Sequence, residues 1–201
     1  MIGLNRRRMM GGEKLPYDAE IEYLESSGTQ YIDTMVAPTL DTEIQCVVIP
    51  ITANVNVLNT DLQNSFGIHI TDWSSGSWAC YFGNEGYIPR QGVSNFKYNI
   101  PQSVVLNYQK VTIDGVEYSI NATSMSGSTM YMFKSTWKDK DNTRICSLKI
   151  KQNNIIVRDY IPVRKGNVGY MYDKVSKQLF GNSGTGEFIL GPDVNSGGVN
   201  A

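Results

Sequence analysis

The strongest constraint on the fold is a series of short alternating segments, separated by turn residues, in residues 144–192. Over Ile145–Lys151 apolar and polar side chains alternate with the two-residue period of a β-strand, which puts the apolar ones on one side. Gln152–Asn154 follows, and asparagine tolerates the left-handed backbone that a tight hairpin needs. Ile155–Tyr160 is therefore the predicted return strand. Pro162 should end that strand or lie at a sheet edge, because proline has no N–H for a ladder.

The same pattern of short apolar segments and turns extends over most of the chain. The other predicted strands are Glu20–Leu24, Gln30–Thr34, Glu43–Pro50, Ser65–Ile70, Ser77–Phe82, Ser103–Gln109, Lys110–Ile113, Val116–Ile120, Thr129–Lys134, Val168–Tyr172, Gln178–Phe180 and Glu187–Leu190. Glu43–Pro50 is β-branched and nearly continuous, which predicts a central buried strand. Thr52–Asp61 is rich in asparagine and is predicted to be a connection. Many short strands without an amphipathic helical segment predict an all-β sandwich or jelly roll.

Length and charge exclude several classes of protein. A chain of 201 residues suits one β-sandwich with a short appendage, and 41% hydrophobic residues suffice for a core. The 18 Lys and Arg residues against 19 Asp and Glu residues give a net charge of −1, which argues against a nucleic-acid partner. No apolar run approaches the ~20 residues that span a bilayer, so we expect no membrane association. No apolar segment follows Arg6, Arg7 and Arg8, so we expect no signal peptide.

Cysteine and histidine usage predicts neither a metal site nor a cofactor. Cys46, Cys80 and Cys146 are an odd set without a CxxC pair, which argues against zinc. All three occur in apolar segments, where cysteine behaves as a small buried hydrophobe, so we expect reduced thiols. His69 is the only histidine and is predicted to be an ordinary strand residue.

Two segments carry a resemblance to a known family. They are EIEYLESSGTQYIDT at Glu20–Thr34, and VRDYIPVR with GYMYDKVSKQLFGNSGTGEFILGPD at Val157–Asp193. They resemble the opening and closing segments of a concanavalin A-like (LamG-type) jelly-roll family that is common in phages, prophages and gut bacteria. The resemblance implies the fold for nearly the whole chain, whereas this fold hosts lectins, glycosidases and virion proteins alike. After Thr34 the family usually has glycine, but Met35 stands here, so we expect the strand to run on rather than turn.

The predicted organisation is an N-terminal arm at residues 1–17, a concanavalin A-like β-sandwich at 18–191 and a loose polar tail at 192–201. The first segment is basic and apolar: Ile2, Leu4, Arg6, Arg7, Arg8, Met9 and Met10. It is either an ordinary chain end or an extended arm that docks into an acidic, partly apolar groove on a neighbouring subunit. We adopt the arm as the working hypothesis.

Two segments superficially suggest catalysis or phosphate binding. Glu20, Glu22 and Glu25 approximate the paired carboxylates of laminarinase-like glycosidases on this fold. The alternative is an edge strand whose charges discourage pairing with another chain, and we prefer it. The glycine-rich segment Gly181–Gly186 lacks the lysine and the helix of a phosphate-binding loop, so we predict a loop between two strands.

Aromatic residues near predicted loops suggest a carbohydrate-binding patch. Trp73, Trp78, Tyr81 and Tyr87 are close in sequence, and exposed aromatic rings stack on sugars. The alternative is that Trp78 and Tyr81 lie in the core, as strand aromatics commonly do. Trp73 beside Asp72 is the best candidate for exposure.

The leading functional hypothesis is a non-enzymatic structural protein of a phage virion, such as a capsid decoration or head fibre. It would be assembled in the host bacterial cytoplasm and attached through the arm to a capsid, portal or tail lattice. A homo-oligomer, with a trimer as one form by analogy, is expected. The alternative is a carbohydrate-binding module or adhesin for host-surface or mucosal glycans, and a glycoside hydrolase is the third hypothesis.

Overall fold

The fold is all-β over the part of the chain that the structure describes. The structure is a computed structural model, and it describes residues 15–52, 55–60, 66–71, 77–83, 97–108, 110–120, 128–134 and 142–194. The strands are β1 Ala19–Glu20, β2 Leu24–Ser27, β3 Ile32–Asp33, β4 Glu43–Pro50, β5 Val55–Thr60, β6 Phe66–Thr71, β7 Ser77–Phe82, β8 Gln102–Leu106, β9 Lys110–Ile113, β10 Val116–Ser119, β11 Met130–Met132, β12 Asn142–Gln152, β13 Ile155–Lys165, β14 Val168–Asp173, β15 Gln178–Phe180 and β16 Ile189–Leu190. None of the described residues is helical, which confirms the predicted class.

The strands form two antiparallel sheets. The larger sheet has the order β10-β9-β8-β4-β12-β13-β14-β15, with β1 beside β13, β2 beside β12 and β16 beside β2. The smaller sheet has the order β3-β11-β5-β6-β7. Ile44 and Ile150 of the larger sheet and Leu58 and Trp78 of the smaller one belong to a single buried cluster. The two sheets therefore pack as a sandwich, and each large apolar side chain buried between them contributes roughly 1.5–3 kcal/mol.

The centre of the larger sheet is β4, as predicted. It pairs with β8 on one side and β12 on the other. Alternate residues of β4 are buried, so only one of its faces packs on the core. The unbroken β-branched pattern thus predicted the central position correctly but overstated the burial, because an antiparallel sheet keeps its second face nearer to solvent.

A β-bulge in β12 changes the side-chain alternation that the sequence predicts. The register against β4 shifts between Ile145 and Ser147, and both Ile145 and Leu148 are buried. Cys146, expected on the apolar side with Leu148, is only half-buried because the extra residue of a bulge turns the strand. Burial raises the pKa of Cys46 to about 12 and that of Cys146 to about 11, which keeps these thiols protonated.

Two tight hairpins follow the predicted turn residues. Asn153 and Asn154 both have positive φ, 51° and 61°, and join β12 to β13. Asp114 and Gly115, with φ of 47° and 82°, join β9 to β10 in the same way. These backbone angles match the right-handed twist of the flanking strands, so the local sequence determines both turns.

Pro162 does not end β13, which was one of the two predicted alternatives. The strand runs on to Lys165, and the Pro162 carbonyl accepts a hydrogen bond from the Ile21 amide at 3.0 Å. In a strand the nitrogen and carbonyl of one residue face the same edge. Pro162 therefore faces the edge where β13 changes its neighbour from β12 to β1, and a missing N–H costs little there.

The sequence analysis missed β5, which lies inside Thr52–Asp61, the segment that was predicted to be a connection. Val55, Val57 and Leu58 are all buried, and the register against β6 shifts between Asn56 and Leu58. The bulge explains why buried residues are adjacent instead of alternating. The buried Asn56 amide oxygen lies 2.8 Å from His69 Nδ1, which places His69 in a strand, as predicted.

The chain turns at Met35, contrary to the prediction that the strand would run on. β3 ends at Asp33, and Met35 has a φ of 57° with its side chain exposed. The Asp33 carboxylate accepts a hydrogen bond from the Met35 amide at 2.8 Å. A methionine thus occupies a left-handed position that favours glycine, at a cost of roughly 1–2 kcal/mol.

Residues just outside the predicted sandwich, at both of its ends, contact the sheet. Tyr17, which we assigned to the arm, packs edge-to-face on Tyr172 with ring centroids 5.0 Å apart. At the other end, Asp193 pairs with Ile21 and forms a salt bridge with Arg164, and the Val194 amide donates to the Glu20 carbonyl. Residues 192–194 are therefore hydrogen-bonded to residues 20–22, whereas the sequence analysis placed them in a loose tail.

Candidate functional site: a polar groove at one end of the larger sheet

The two segments that carry the family resemblance bind each other. Asn182 Oδ1 accepts hydrogen bonds from the Tyr31 and Gly184 amides at 3.2 and 2.8 Å. The Ser183 amide donates to the Tyr31 carbonyl at 2.8 Å, and Thr29 Oγ1 donates to the Thr185 carbonyl at 2.7 Å. The glycine-rich loop is thus a structural connection, as predicted. We call this contact between residues 26–31 and 182–187 the terminal clasp.

A buried glutamine completes the terminal clasp. Gln30 Oε1 accepts hydrogen bonds from Ser26 Oγ at 3.0 Å and from the Ser27 amide at 2.9 Å. Its Nε2 donates to the Glu187 carbonyl at 3.0 Å. Because Gln30 is only 3% exposed, its amide would be costly to bury without these partners. Gln30 therefore joins the opening and closing segments through buried hydrogen bonds.

Asp173 is a buried carboxylate that holds the turn between β14 and β15. It accepts hydrogen bonds from the amides of Asp159, Val175 and Ser176 at 2.8, 3.1 and 3.1 Å, and from Ser176 Oγ at 2.7 Å. Arg158 Nε lies 3.8 Å away. Burial alone would raise the pKa of Asp173, but these donors outweigh it and hold the pKa below its ordinary value. The structural interpretation of this charged cluster is confirmed.

The glutamates proposed for glycosidase chemistry do not converge on a cleft. Glu20 is exposed and accepts a hydrogen bond from the Tyr17 hydroxyl at 3.1 Å, and Glu22 is exposed as well. Glu25 is buried but forms a salt bridge with Arg144 at 2.6 Å. A glycosidase needs a nucleophile and an acid that face one bond, and these residues lack that arrangement.

The structure corrects part of the predicted carbohydrate patch. Trp78 has no exposed surface, because β7 turns its indole into the core between the sheets, so it cannot stack on a sugar. Tyr81, on the same strand, is half-buried. Trp73 and Tyr87 lie outside the described residues, as do the predicted arm residues Ile2, Leu4, Arg6, Arg7, Arg8, Met9 and Met10.

A different surface forms an open groove of about 460 Å³ at one end of the larger sheet. Its walls come from the loop before β4, the turn between β8 and β9, the end of β12 and the β12–β13 hairpin. The lining residues from the first two segments are Leu40, Asp41, Thr42, Glu43, Asn107 and Tyr108. Those from the last two are Lys151, Asn153 and Asn154. The volume is within the range of small-molecule sites.

The floor of the groove is a fixed ion pair. Glu43 Oε1 accepts hydrogen bonds from Lys151 Nζ at 2.8 Å and from Gln45 Nε2 at 2.7 Å. Burial alone would raise the pKa of Glu43, but Lys151, Gln45 and Asn107 donate to the carboxylate and hold the pKa below its ordinary value. The floor therefore stays charged and ordered at neutral pH.

One wall of the groove is tied to β12. Gln152 Nε2 donates to the Ala37 carbonyl at 2.8 Å and to Thr42 Oγ1 at 3.3 Å. Within the loop, Thr42 Oγ1 also accepts from the Thr39 amide at 2.7 Å. These bonds fix the loop before β4 against the sheet, so the groove is preformed.

The rim combines an aromatic ring with polar groups that face solvent. Tyr108 is 39% exposed, and the edge-to-face packing of its ring on Phe82, with centroids 5.5 Å apart, restrains it. The side chains of Asp41, Asn153 and Asn154 are exposed and make no hydrogen bond to other described residues. The rim can therefore offer both donors and acceptors to a ligand.

No local sequence motif predicts this groove, and the sequence analysis missed it. Its residues come from four segments that become neighbours only when β4, β8 and β12 pair. Asn153 and Asn154 were interpreted as turn residues, which they are, and a second role cannot be inferred from turn chemistry. The only hint in the sequence was the pair Asn107-Tyr108 at the predicted junction between two strands.

Comparisons with known proteins add no family assignment: no protein-family model matches the chain, and no curated protein matches it. Among the residues that the structure describes, no three His, Cys, Asp or Glu side chains cluster closely enough to hold a metal ion. No described helix is long and apolar enough to cross a membrane.

Proposed function

We propose that this chain is a non-enzymatic structural protein of a bacteriophage particle, a capsid decoration or a head fibre. In this proposal residues 1–17 attach it to the particle, and a concanavalin A-like jelly roll is presented outward. Its partners are other virion proteins of a capsid, portal or tail lattice, and it is assembled in the cytoplasm of the host bacterium. Neither nucleic acid nor a membrane is a proposed partner.

The observation that carries the proposal is that the N-terminal segment and the groove lie at opposite ends of the sandwich. Asp18 lies against Arg164 and Gly166, where β13 ends, and the Gly166 amide donates to its carboxylate at 2.7 Å. The groove lies beside the other end of β13, at Asn153 and Asn154. Ten residue steps along a strand span about 33 Å. A chain anchored through its first residues thus has the groove on the end that faces away from the anchor.

The terminal clasp supports the same proposal. The resemblance to phage and prophage proteins rests on residues 20–34 and 157–193, and these segments form the clasp and the Asp173 turn. Joining the first and last strands in one unit would help a displayed domain resist unfolding when only its base is held. Repetition on a symmetric particle, as an oligomer or as many copies, would let weak contacts act together.

The exposed positions of Glu20 and Glu22 and the ion pair of Glu25 favour a role without catalysis. A second candidate function, a carbohydrate-binding module or adhesin, is favoured by one observation, the preformed polar groove. The two functions are compatible, because a virion protein can also bind glycans at the surface of a host or in mucus.

Deletion of Met1–Gly12 tests the proposal. We expect the truncated protein to fold with an unchanged Tm, because it keeps the contacts of Tyr17 with Tyr172 and of Asp18 with Gly166, and to be lost from purified particles. Copy number per particle is measured by quantitative mass spectrometry. The matched control removes residues 195–201, which follow the Val194 contact at the same end of the sheet, and should be incorporated normally. Incorporation of the Met1–Gly12 deletion at full copy number would contradict the proposal.

A second variant distinguishes the contribution of the arginine charges to docking of the arm from the contribution of its apolar residues. Replacing Arg6, Arg7 and Arg8 together by glutamine removes three positive charges and keeps the apolar residues of the arm. If arginine pairing contributes to docking, incorporation of the variant should be lower than that of the unmodified chain at low salt, and the difference should shrink as salt rises, because salt screens the pairs that only the unmodified chain forms. Incorporation equal to that of the unmodified chain at every salt concentration would limit the arm to apolar contacts.

A further inference from the structure

We infer that the groove beside the β12–β13 hairpin binds a neutral saccharide, with Tyr108 as the stacking platform and Asp41, Asn153 and Asn154 as hydrogen-bonding groups. The inference deepens the second candidate function and rests on the proposed outward display of this end of the sandwich. The site differs from the predicted patch around Trp73 and Trp78.

The hydrogen-bonding capacity of the rim matches a sugar. Each sugar hydroxyl both donates and accepts, so a site needs acceptors and donors close together. The Asp41 carboxylate supplies acceptors, and the amides of Asn153 and Asn154 supply both. All three side chains are exposed and unbonded to other described residues, so a ligand displaces only water from them.

The asparagines are held in place by the fold. Both adopt left-handed backbone angles that the two-residue hairpin requires, which fixes the direction of each side chain at its root. The hairpin is anchored by the pairing of Gln152 with Ile155, and Gln152 also ties down the opposite wall. Such preorganisation lowers the ordering cost of binding.

Tyr108 supplies the apolar part of the recognition. A pyranose ring has a face of C–H groups that packs against an aromatic ring, while its hydroxyls point outward. Tyr108 is 39% exposed and its ring is restrained by Phe82, so it can present a fixed surface. Leu40, 49% exposed, extends the apolar surface on the opposite wall.

Charge selects against anionic ligands. Asp41 and Glu43 carry negative charge and Lys151 carries one positive charge, which the Glu43 carboxylate already binds at 2.8 Å. The groove is therefore net negative, and phosphate, sulfate or sialic acid groups would meet the Asp41 carboxylate, which has no ion-pair partner among the described residues. An apolar peptide segment would find one aromatic ring and one leucine among polar groups. A neutral saccharide is compatible both with the negative charge of the groove and with its mostly polar lining.

The direct test uses the full-length chain and an array of neutral oligosaccharides of glucose, galactose, mannose and N-acetylglucosamine, with sialylated and sulfated glycans alongside. We expect binding to at least one neutral glycan and weaker or no binding to its anionic counterparts. Binding to no neutral glycan, or only to anionic ones, would overturn the inference. Capture of unmodified peptides but of no glycan would overturn it as well.

Matched variants locate the site. Tyr108→Ala should weaken binding at least tenfold, whereas Tyr98→Ala should leave it unchanged; Tyr98 is 38% exposed and lies near Pro50, at the other end of β4. Asn154→Gly keeps the left-handed turn but removes the amide, so it should weaken binding severalfold with little change in Tm. Equal effects of the two tyrosine variants, or unchanged binding by Asn154→Gly and Tyr108→Ala, would place the site elsewhere.

Different results would contradict the two proposals, attachment through the arm and glycan binding in the groove. The Met1–Gly12 deletion should bind the same glycan as the full chain, because the groove is about 33 Å from Asp18 along β13. Tyr108→Ala should join particles normally. Loss of glycan binding in the deletion would contradict the assignment of the groove, and incorporation of the deletion at full copy number would contradict only the arm.

Discussion

Replacing Asp173 by alanine should lower the free energy of unfolding by about 4 kcal/mol, the cost expected when one partner of a buried charge cluster is removed. In a chain of this size that corresponds to a fall in Tm of roughly 8–16 °C. The substitution would leave the amides of Asp159, Val175 and Ser176 without their acceptor and Arg158 without its carboxylate. Circular dichroism melts of the two proteins measure the effect.

The Asp173 carboxylate also predicts a pH dependence. Because its pKa is held below the ordinary value of about 3.9, its contribution is fully present above that value and is lost as pH falls toward the folded pKa. Asp173→Asn keeps the shape but removes the charge. The difference in Tm between the unmodified chain and Asp173→Asn should therefore be largest near pH 7 and shrink as pH falls below about 4.

A neighbouring substitution serves as the control. Lys174 follows Asp173 directly, and its side chain is exposed, so Lys174→Ala should change Tm by no more than a degree or two. If Asp173→Ala melts within two degrees of the unmodified chain, the turn does not depend on this carboxylate. A difference that stays constant from pH 7 to pH 3 would contradict the lowered pKa.

Replacing Gly184 by alanine should open the terminal clasp. A Cβ atom at Gly184 would overlap the backbone carbonyl of Thr29 and lie 3.0 Å from the ring of Tyr31. Neither backbone can move without breaking the bonds of the Ser183 and Thr185 amides to residues 29–31. Overpacking of this kind costs about 3 kcal/mol, or roughly 6–12 °C in Tm.

Hydrogen exchange distinguishes a local opening from general destabilisation. In Gly184→Ala the amides of Ser183 and Thr185 should lose protection first, while those of β4 and β12 keep it. Ser183→Ala is the matched control, because Ser183 is exposed and contributes through its backbone amide. Unchanged protection of the clasp amides in Gly184→Ala would show that the two segments are not held together by this contact.

Features that depend on nearby residues were predictable from the sequence. The Asn153–Asn154 and Asp114–Gly115 hairpins, and the strands Glu43–Pro50, Ser77–Phe82 and Gln178–Phe180, appear where the pattern placed them. Turn geometry is determined by two residues, and strand alternation by a few more. The all-β class with two antiparallel sheets follows from many such local signals.

The features that the sequence analysis did not predict depend on residues that are distant in the chain. β5 was missed because a bulge against β6 replaces alternation by adjacent buried residues. The turn at Met35 requires strain that contacts elsewhere in the fold offset, and no local preference predicts it. The groove arises where four separate segments meet, so residues such as Tyr108 and Asn154 gain a shared surface only through sheet pairing.

The most direct test of the proposed attachment is limited proteolysis with trypsin, which cuts after lysine and arginine, on the isolated protein and on intact particles. Mass spectrometry then measures the rate of cleavage at Arg6, Arg7 and Arg8 in each sample. The proposed arm predicts rapid cleavage at these three sites in the isolated protein and strong protection of them in the particle. Equal cleavage rates in the two samples would contradict attachment through the arm and favour a free-standing glycan-binding module.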